Sequence, residues 1–189
     1  EAAGQRPAAQ ERRIVATPGA LIGLDLLARR PSSVRRLVAH EPPAFDLLPD
    51  AARWRRLTRE AVEVCEREGV GPAMRKLGEE TGVTAPPEPD PGLPQWVRDM
   101  LGRMTVNMET SCRYELRPFS AYVPDAEALR AAPVVPAYGA ETKGRLMHRA
   151  TLAVAGLLGR EAVELPGDYV GYLRSPAEFA EALRAQLSA

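Results

Sequence analysis

Lysine is almost absent from this 189-residue chain: Lys76 and Lys143 are the only two, so arginine carries nearly all of the positive charge. Histidine and cysteine are equally sparse, at two each, and aromatic residues make up only 5%. There is no net charge either, with 25 Lys+Arg against 25 Asp+Glu. Without a basic excess the chain offers little to nucleic acid or to an anionic membrane, and neither partner is expected. No apolar run approaches the ~20 residues that a membrane-crossing helix needs. Glu1–Gln10 lacks the basic and apolar regions of a secretion signal, so a cytoplasmic location is expected. Cys65 and Cys112 fit no metal or redox spacing and read as small buried hydrophobes. His40 and His148 lie far apart, with no Cys or Asp cluster beside either, and no metal or other cofactor is expected.

What the chain does have is enough apolar residue for a sizeable core: 45% hydrophobic and 26% charged residues describe one globular domain with room for an insertion. Residues 1–11 show no periodicity and form a loose lead-in. Arg13–Ala16 reads as a short strand that turns at Thr17-Pro18-Gly19 into a helix from Ala20 to Arg30, apolar almost all round and therefore buried. Arg36–His40 is the next strand, closed by Glu41-Pro42-Pro43, so a parallel strand–helix–strand unit is expected.

The stretch 50–120 changes character. Trp54, Leu57, Ala61, Val64 and Cys65 recur at helical spacing, as do Trp96, Met100, Met104 and Met108. The prolines of Ala85–Pro91 forbid helix and sheet ladder alike, so a hinge is expected between two helical parts. The strand–helix alternation then resumes with Pro133–Tyr138, a helix from Leu146 to Leu158 and the strand Ala162–Leu165. A last helix starts at Ser175-Pro176-Ala177-Glu178, where Ser caps and Glu completes a capping box. The pattern predicts an α/β fold: a parallel sheet of about four strands with flanking helices, a core of residues 12–49 and 121–189, and a helical insertion over 50–120.

Three segments carry a family resemblance. Val15–Leu21, running from strand into buried helix, resembles the nucleophile elbow of the α/β-hydrolases. Leu37–Pro43 resembles the strand and loop that follow it. Pro166-Gly167-Asp168-Tyr169-Val170-Gly171-Tyr172 resembles the loop that carries the catalytic histidine in relatives reading Pro-Gly-Gly-His-Val-Gly-Tyr. In this order and spacing, over about residues 12–188, the chain is similar to the C-terminal half of the α/β-hydrolase superfamily, above all to actinobacterial members with a helical cap at the position of 50–120.

The resemblance implies a truncated α/β-hydrolase fold whose triad positions are substituted. Thr17 stands where the nucleophilic serine belongs, and only the second glycine of the G-x-S-x-G elbow is kept. Tyr169 stands at the histidine position, and a phenol with an ordinary pKa near 10 is a poor base at neutral pH. The acid position after the third strand falls on Thr142 or its neighbour Glu141. Glu41 offers another acid, in the loop where haloalkane dehalogenases carry theirs. Thr17, Glu41 and Tyr169 are therefore the candidate catalytic residues. His40, Pro42, Pro43 and Thr142 are candidate substrate contacts from the core. Met104 and Met108 join them from the cap, whose methionines and tryptophans are expected to be core residues between helices, some also lining an apolar cavity.

This set implies an enzyme that binds a hydrophobic small molecule and catalyses non-hydrolytic acid–base chemistry of cyclisation, lyase or isomerase type. The alternatives are a non-catalytic binding or assembly subunit, and a residual hydrolase that uses Thr17 or receives a missing half in trans. A sheet beginning at Arg13–Ala16 exposes an edge, so that strand is expected to be covered by residues 1–11, by a second copy of the chain or by a companion polypeptide.

Overall fold

The computed structural model describes residues 11–81 and 91–188. In chain order the regular elements are β1 (Glu11–Ala16), α1 (Pro18–Arg29), β2 (Val34–His40), α2 (Ala51–Glu68), α3 (Val70–Thr81), α4 (Gln95–Thr110), α5 (Leu116–Ser120), α6 (Ala126–Leu129), β3 (Val134–Gly139), α7 (Leu146–Leu157), β4 (Val163–Leu165), α8 (Gly171–Arg174) and α9 (Pro176–Ser188). The fold is α/β: a parallel sheet, in the order β1-β2-β3-β4 among the described residues, flanked by helices. Ala16 pairs with His40, His40 with Ala137, and Gly139 with Leu165. All pairings being parallel, the carboxyl ends of β1, β2 and β3 converge on one edge, where open α/β sheets hold their ligands. No described helix is long and apolar enough to cross a membrane.

The period-2 alternation of β2 divides the core. Leu37 and Ala39 face one side, packing with Leu21, Leu24 and Leu27 of α1, Leu129 of α6 and Val154 of α7. Val38 faces the other, with Ala137, Leu165 and Phe179 of α9. The expectation of an all-buried α1 holds for its inner face only, since Ile22 and Leu26 are exposed. Burying one such leucine contributes about 1.5–3 kcal/mol, so this double-sided packing is what holds the strand ends in place.

Helices α2 to α5 occupy most of the 50–120 stretch. Trp54 and Leu57 of α2 pack with Phe45, Leu48, Leu146, Met147 and Ala150, which seats α2 on the start of α7. Asp50, just ahead of α2, takes a two-pronged hydrogen bond from Arg149 of α7. The expectation that the second helical part would be a core helix is corrected. Among its described residues α4 has none buried; Trp96 is 68% exposed, and Met100 and Met104 are each 39% exposed. The spacing of these side chains marks one helix face, but spacing alone does not say whether a partner covers it. The proline hinge and the lead-in lie largely outside the described residues, as does any cover that residues 1–10 give to β1.

Between α4 and α5 the helix widens into a π-turn at Ser111–Glu115, where the Leu116 amide reaches back five residues to the Ser111 carbonyl. Pro118 accounts for the change. Its ring has no N–H to offer Tyr114 and crowds that carbonyl, so the preceding turn relaxes to a wider repeat.

Candidate functional site

Thr17 sits at the tip of β1 with φ 56° and ψ −129°, and α1 begins at the very next residue. A positive φ is rare for any residue with a side chain, and for a β-branched one it is an outlier that costs about 1–3 kcal/mol. The turn is fixed from both sides: the Thr17 amide donates to the His40 carbonyl at 2.9 Å, and the Ala20 amide donates to the Thr17 carbonyl at 3.0 Å. This is the strained strand-to-helix geometry that a nucleophile elbow uses to lift a side chain out of the sheet edge.

The following residue is Pro18, and the consequence is chemical. In an elbow that performs acyl transfer, the backbone N–H after the nucleophile stabilises the developing oxyanion. Proline has no N–H, so that donor does not exist here. Pro18 is plain in the sequence, and the rule that an elbow's next residue supplies an amide is the signal that finds it.

Tyr169 reaches the same spot from the loop after β4. Gly139 makes this possible: a Cβ there would lie 2.6 Å from the Gly167 carbonyl oxygen and 2.7 Å from that of Asp168. The loop then coils tightly, with Asp168 accepting from the Val170 amide and pairing with Arg174. Tyr169 and Thr17 border the same cavity, close enough for Thr17 to act on the ionisation of the phenol. Burial pushes the phenol up to about 12, Thr17 acts in the opposite direction, and Tyr172 and Glu41 add to the rise.

Glu41 is fully buried, and also has a positive φ, of 48°. Its Oε1 accepts from the Gly139 amide at 2.9 Å and lies 2.5 Å from the Thr142 hydroxyl, while Oε2 has no partner. Burial raises its pKa, the Thr142 and Gly139 hydrogen bonds oppose the rise, and nearby Asp168 adds to it. Proton counting points the same way. Thr142 has one hydroxyl hydrogen and two oxygens within reach, Glu41 Oε1 and the Gly139 carbonyl at 2.7 Å. One hydrogen shared by two acceptors makes a three-centre bond, which a proton on Glu41 would relieve.

A cavity of about 760 Å³ opens over these groups. Its core wall includes Thr17, Pro43, Thr142 and Tyr169, and its helical wall includes Met104 and Met108, so six of the sequence-derived candidates border one space. Three do not. Glu41 lies behind Thr142 rather than on the surface, and Pro42 is buried outside the lining. His40 falls outside because its side chain follows Val38 onto the α9 face of the sheet. There it stacks edge-on against Phe179 at 5.4 Å with neither ring nitrogen partnered. Its pKa is lowered to about 4 by burial, against a smaller upward pull from Asp168.

Further wall residues went unnoticed in the sequence: Ser111, Cys112 and Glu115 of the π-turn, and Arg145 at the start of α7. The first three continue the Met104–Met108 stripe at helical spacing, which was the signal available.

No family model matches the chain. It is similar to the Uncharacterized hydrolase YraK of Bacillus subtilis (strain 168), at 29% identity over 176 residues, covering 89% of this chain and 60% of that protein. The chain thus spans less than two thirds of that relative's length. The likeness supports a hydrolase-like α/β protein.

Proposed function

We propose that this chain is an α/β-hydrolase-type scaffold, capped by the helices of 51–120, that binds an apolar small molecule against Thr17 and Tyr169. Acid–base chemistry is then its reaction, not acyl transfer. The observation that carries this reading is the Thr17–Tyr169 pair at the strained turn followed by Pro18. A phenol pushed up to about 12 keeps its proton at neutral pH, so it is a donor and cannot take the proton from Thr17. The usual route would also lack one oxyanion amide, which in other enzymes is worth about 10²–10³ in rate. What the pair can do is donate. The phenol, with Thr17 beside it, donates to a carbonyl, ether or leaving alkoxide of the ligand, which suits lyase, isomerase or cyclisation steps. Glu41 acts from behind the wall as a protonated brace that ties the loop after β2 to the loop after β3.

The hydrolase name of the relative favours a second reading, in which Thr17 still turns over esters. Two measurements on the full chain separate the readings. The neutral fluorescent reporter N-phenyl-1-naphthylamine is expected to bind and to be displaced by apolar ligands, and Tyr169→Phe should weaken ligands that carry an oxygen acceptor. A panel of short-chain aryl esters is expected to show no turnover above background. Ester turnover that disappears in Thr17→Ala would overturn the proposal in favour of the hydrolase.

A further inference from the structure

One face of the helical run from α4 through the π-turn to α5 borders the cavity. Along it the residue types change in sequence: Met104 and Met108, then Ser111, Cys112 and Glu115, then Leu116 and Phe119. The middle of this otherwise apolar wall is therefore a carboxylate. Glu115 is half-buried, and the Ser111 hydroxyl one turn earlier donates to its Oε2. Among the described residues no cation pairs with it, whereas Glu109, six residues earlier and exposed, is engaged by Arg113. Asp168, another acid of the cavity wall, is also held by an arginine, Arg174.

An ionised carboxylate facing a mainly apolar cavity has acceptor capacity to spare, about four lone-pair sites of which one hydroxyl fills one. Leaving such a group desolvated is unfavourable, and a ligand that filled the cavity without matching it would meet that cost. Ser111 and Glu115 lie four residues apart, where helix side chains are neighbours, and the hydroxyl is spent on steadying Oε2, leaving Oε1 for a partner from outside the helix.

We infer that Glu115, steadied by Ser111, is a polar anchor in the helical wall for a hydrogen-bond-donating group, a hydroxyl or an ammonium, on an otherwise apolar ligand. The inference rests on the proposed binding reading and deepens it. The ligand would carry two polar points: an oxygen acceptor for the Tyr169 phenol, and a donor for Glu115. A ligand whose donor end is replaced by a carboxylate would lose this anchor and meet like charge at Glu115, even though Arg145 borders the same cavity.

The test is displacement of N-phenyl-1-naphthylamine from the full chain by dodecanol, dodecylamine and dodecanoic acid. Dodecanol or dodecylamine is expected to displace it at about tenfold lower concentration than dodecanoate, since a charge-assisted hydrogen bond is typically worth that factor or more. Glu115→Gln separates the two donors: it should weaken dodecylamine about tenfold while leaving dodecanol within a few-fold, because an amide oxygen still accepts but carries no charge. Ser111→Ala, which cannot disturb the charge, should weaken both donors by a smaller factor. A flat order among the three ligands, or an unchanged order in Glu115→Gln with its unfolding curve intact, would refute the anchor while leaving the cavity reading in place. Failure of the reporter to bind at all would remove both.

Discussion

Replacing His40 with leucine tests how the sheet edge is built, and the size of the effect can be worked out beforehand. The ring is fully buried, has no hydrogen-bond partner at either nitrogen, and meets the edge of Phe179. Its pKa falls from 6.5 to about 4, chiefly through burial. An unfolded chain therefore takes up a proton at this residue below pH 6.5, while the folded chain refuses it until about pH 4. The sign follows: His40 leaves stability intact above pH 6.5 and erodes it as the pH falls towards 4. Between pH 7 and pH 5 that erosion is about 2 kcal/mol, and about 3 kcal/mol by the time the folded pKa is reached. Leucine is close to histidine in volume and has no polar atom to desolvate. His40→Leu should thus match or exceed the wild type by about 1 kcal/mol at pH 7, through the removal of unpartnered nitrogens. Its advantage should then widen by about 2 kcal/mol at pH 5. Urea unfolding at pH 7, 6 and 5, followed by the fluorescence of buried Trp54, gives the difference curve. Glu41 is present in both proteins, so its opposite pH dependence, stabilising at low pH and fading as pH rises, largely cancels in the comparison. A difference curve flat from pH 7 to pH 5, or a leucine variant well below the wild type at pH 7, refutes the reasoning.

Gly139→Ala drives a Cβ against two carbonyls of the 167–168 loop and should cost about 1–3 kcal/mol. Because that loop delivers Tyr169, reporter binding should weaken as well; thermal unfolding and titration read the two effects separately. Thr17→Gly removes about 1–3 kcal/mol of backbone strain against about 0.5–1 kcal/mol for a freer unfolded chain, so its melting temperature should rise slightly. A lower melting temperature than Thr17→Ala would show that the turn is not strained. Trp54→Ala, at 3% exposure, should cost about 3–5 kcal/mol, whereas Trp96→Ala, at 68%, should stay within about 0.5 kcal/mol, both by denaturant titration.

The strands and helices of the core were legible because they have strong local signals. The turn at Thr17-Pro18-Gly19, the Glu41-Pro42-Pro43 stop and the Ser175-Pro176 start all punctuate apolar runs, and the observed bounds differ from the expected ones by a few residues. What the sequence hid was direction. His40 and Glu41 are neighbours at a strand end, yet pleat alternation turns the first towards α9 and the loop turns the second behind Thr142, so neither reaches the cavity. Likewise Trp54 and Trp96 both recur at helical spacing, but only α2 has Phe45 and Met147 to pack against. A periodicity names a face; it takes the third dimension to name what lies opposite. The π-turn was similarly out of reach, since Pro118 predicts a disturbed helix without saying what form the disturbance takes.

On the proposed reading, the residues that depart from an acyl-transfer site fall on one side of a physical divide. A base at the Tyr169 position and an amide at the Pro18 position act on charge that develops only as acyl transfer proceeds. The side chains that border the cavity act on whatever occupies it, reacting or not. Changing the first set while keeping the second lowers acceleration of one reaction without lowering affinity for its ligands. On the proposed reading, then, any rate enhancement this chain provides comes from hydroxyl donation into a mainly apolar space, where a single well-aimed donor is worth more than it is in bulk water. That ties activity to the position of one phenolic proton. It follows that Tyr169→Phe should abolish turnover of a true substrate while sparing its binding more than Glu115→Gln does.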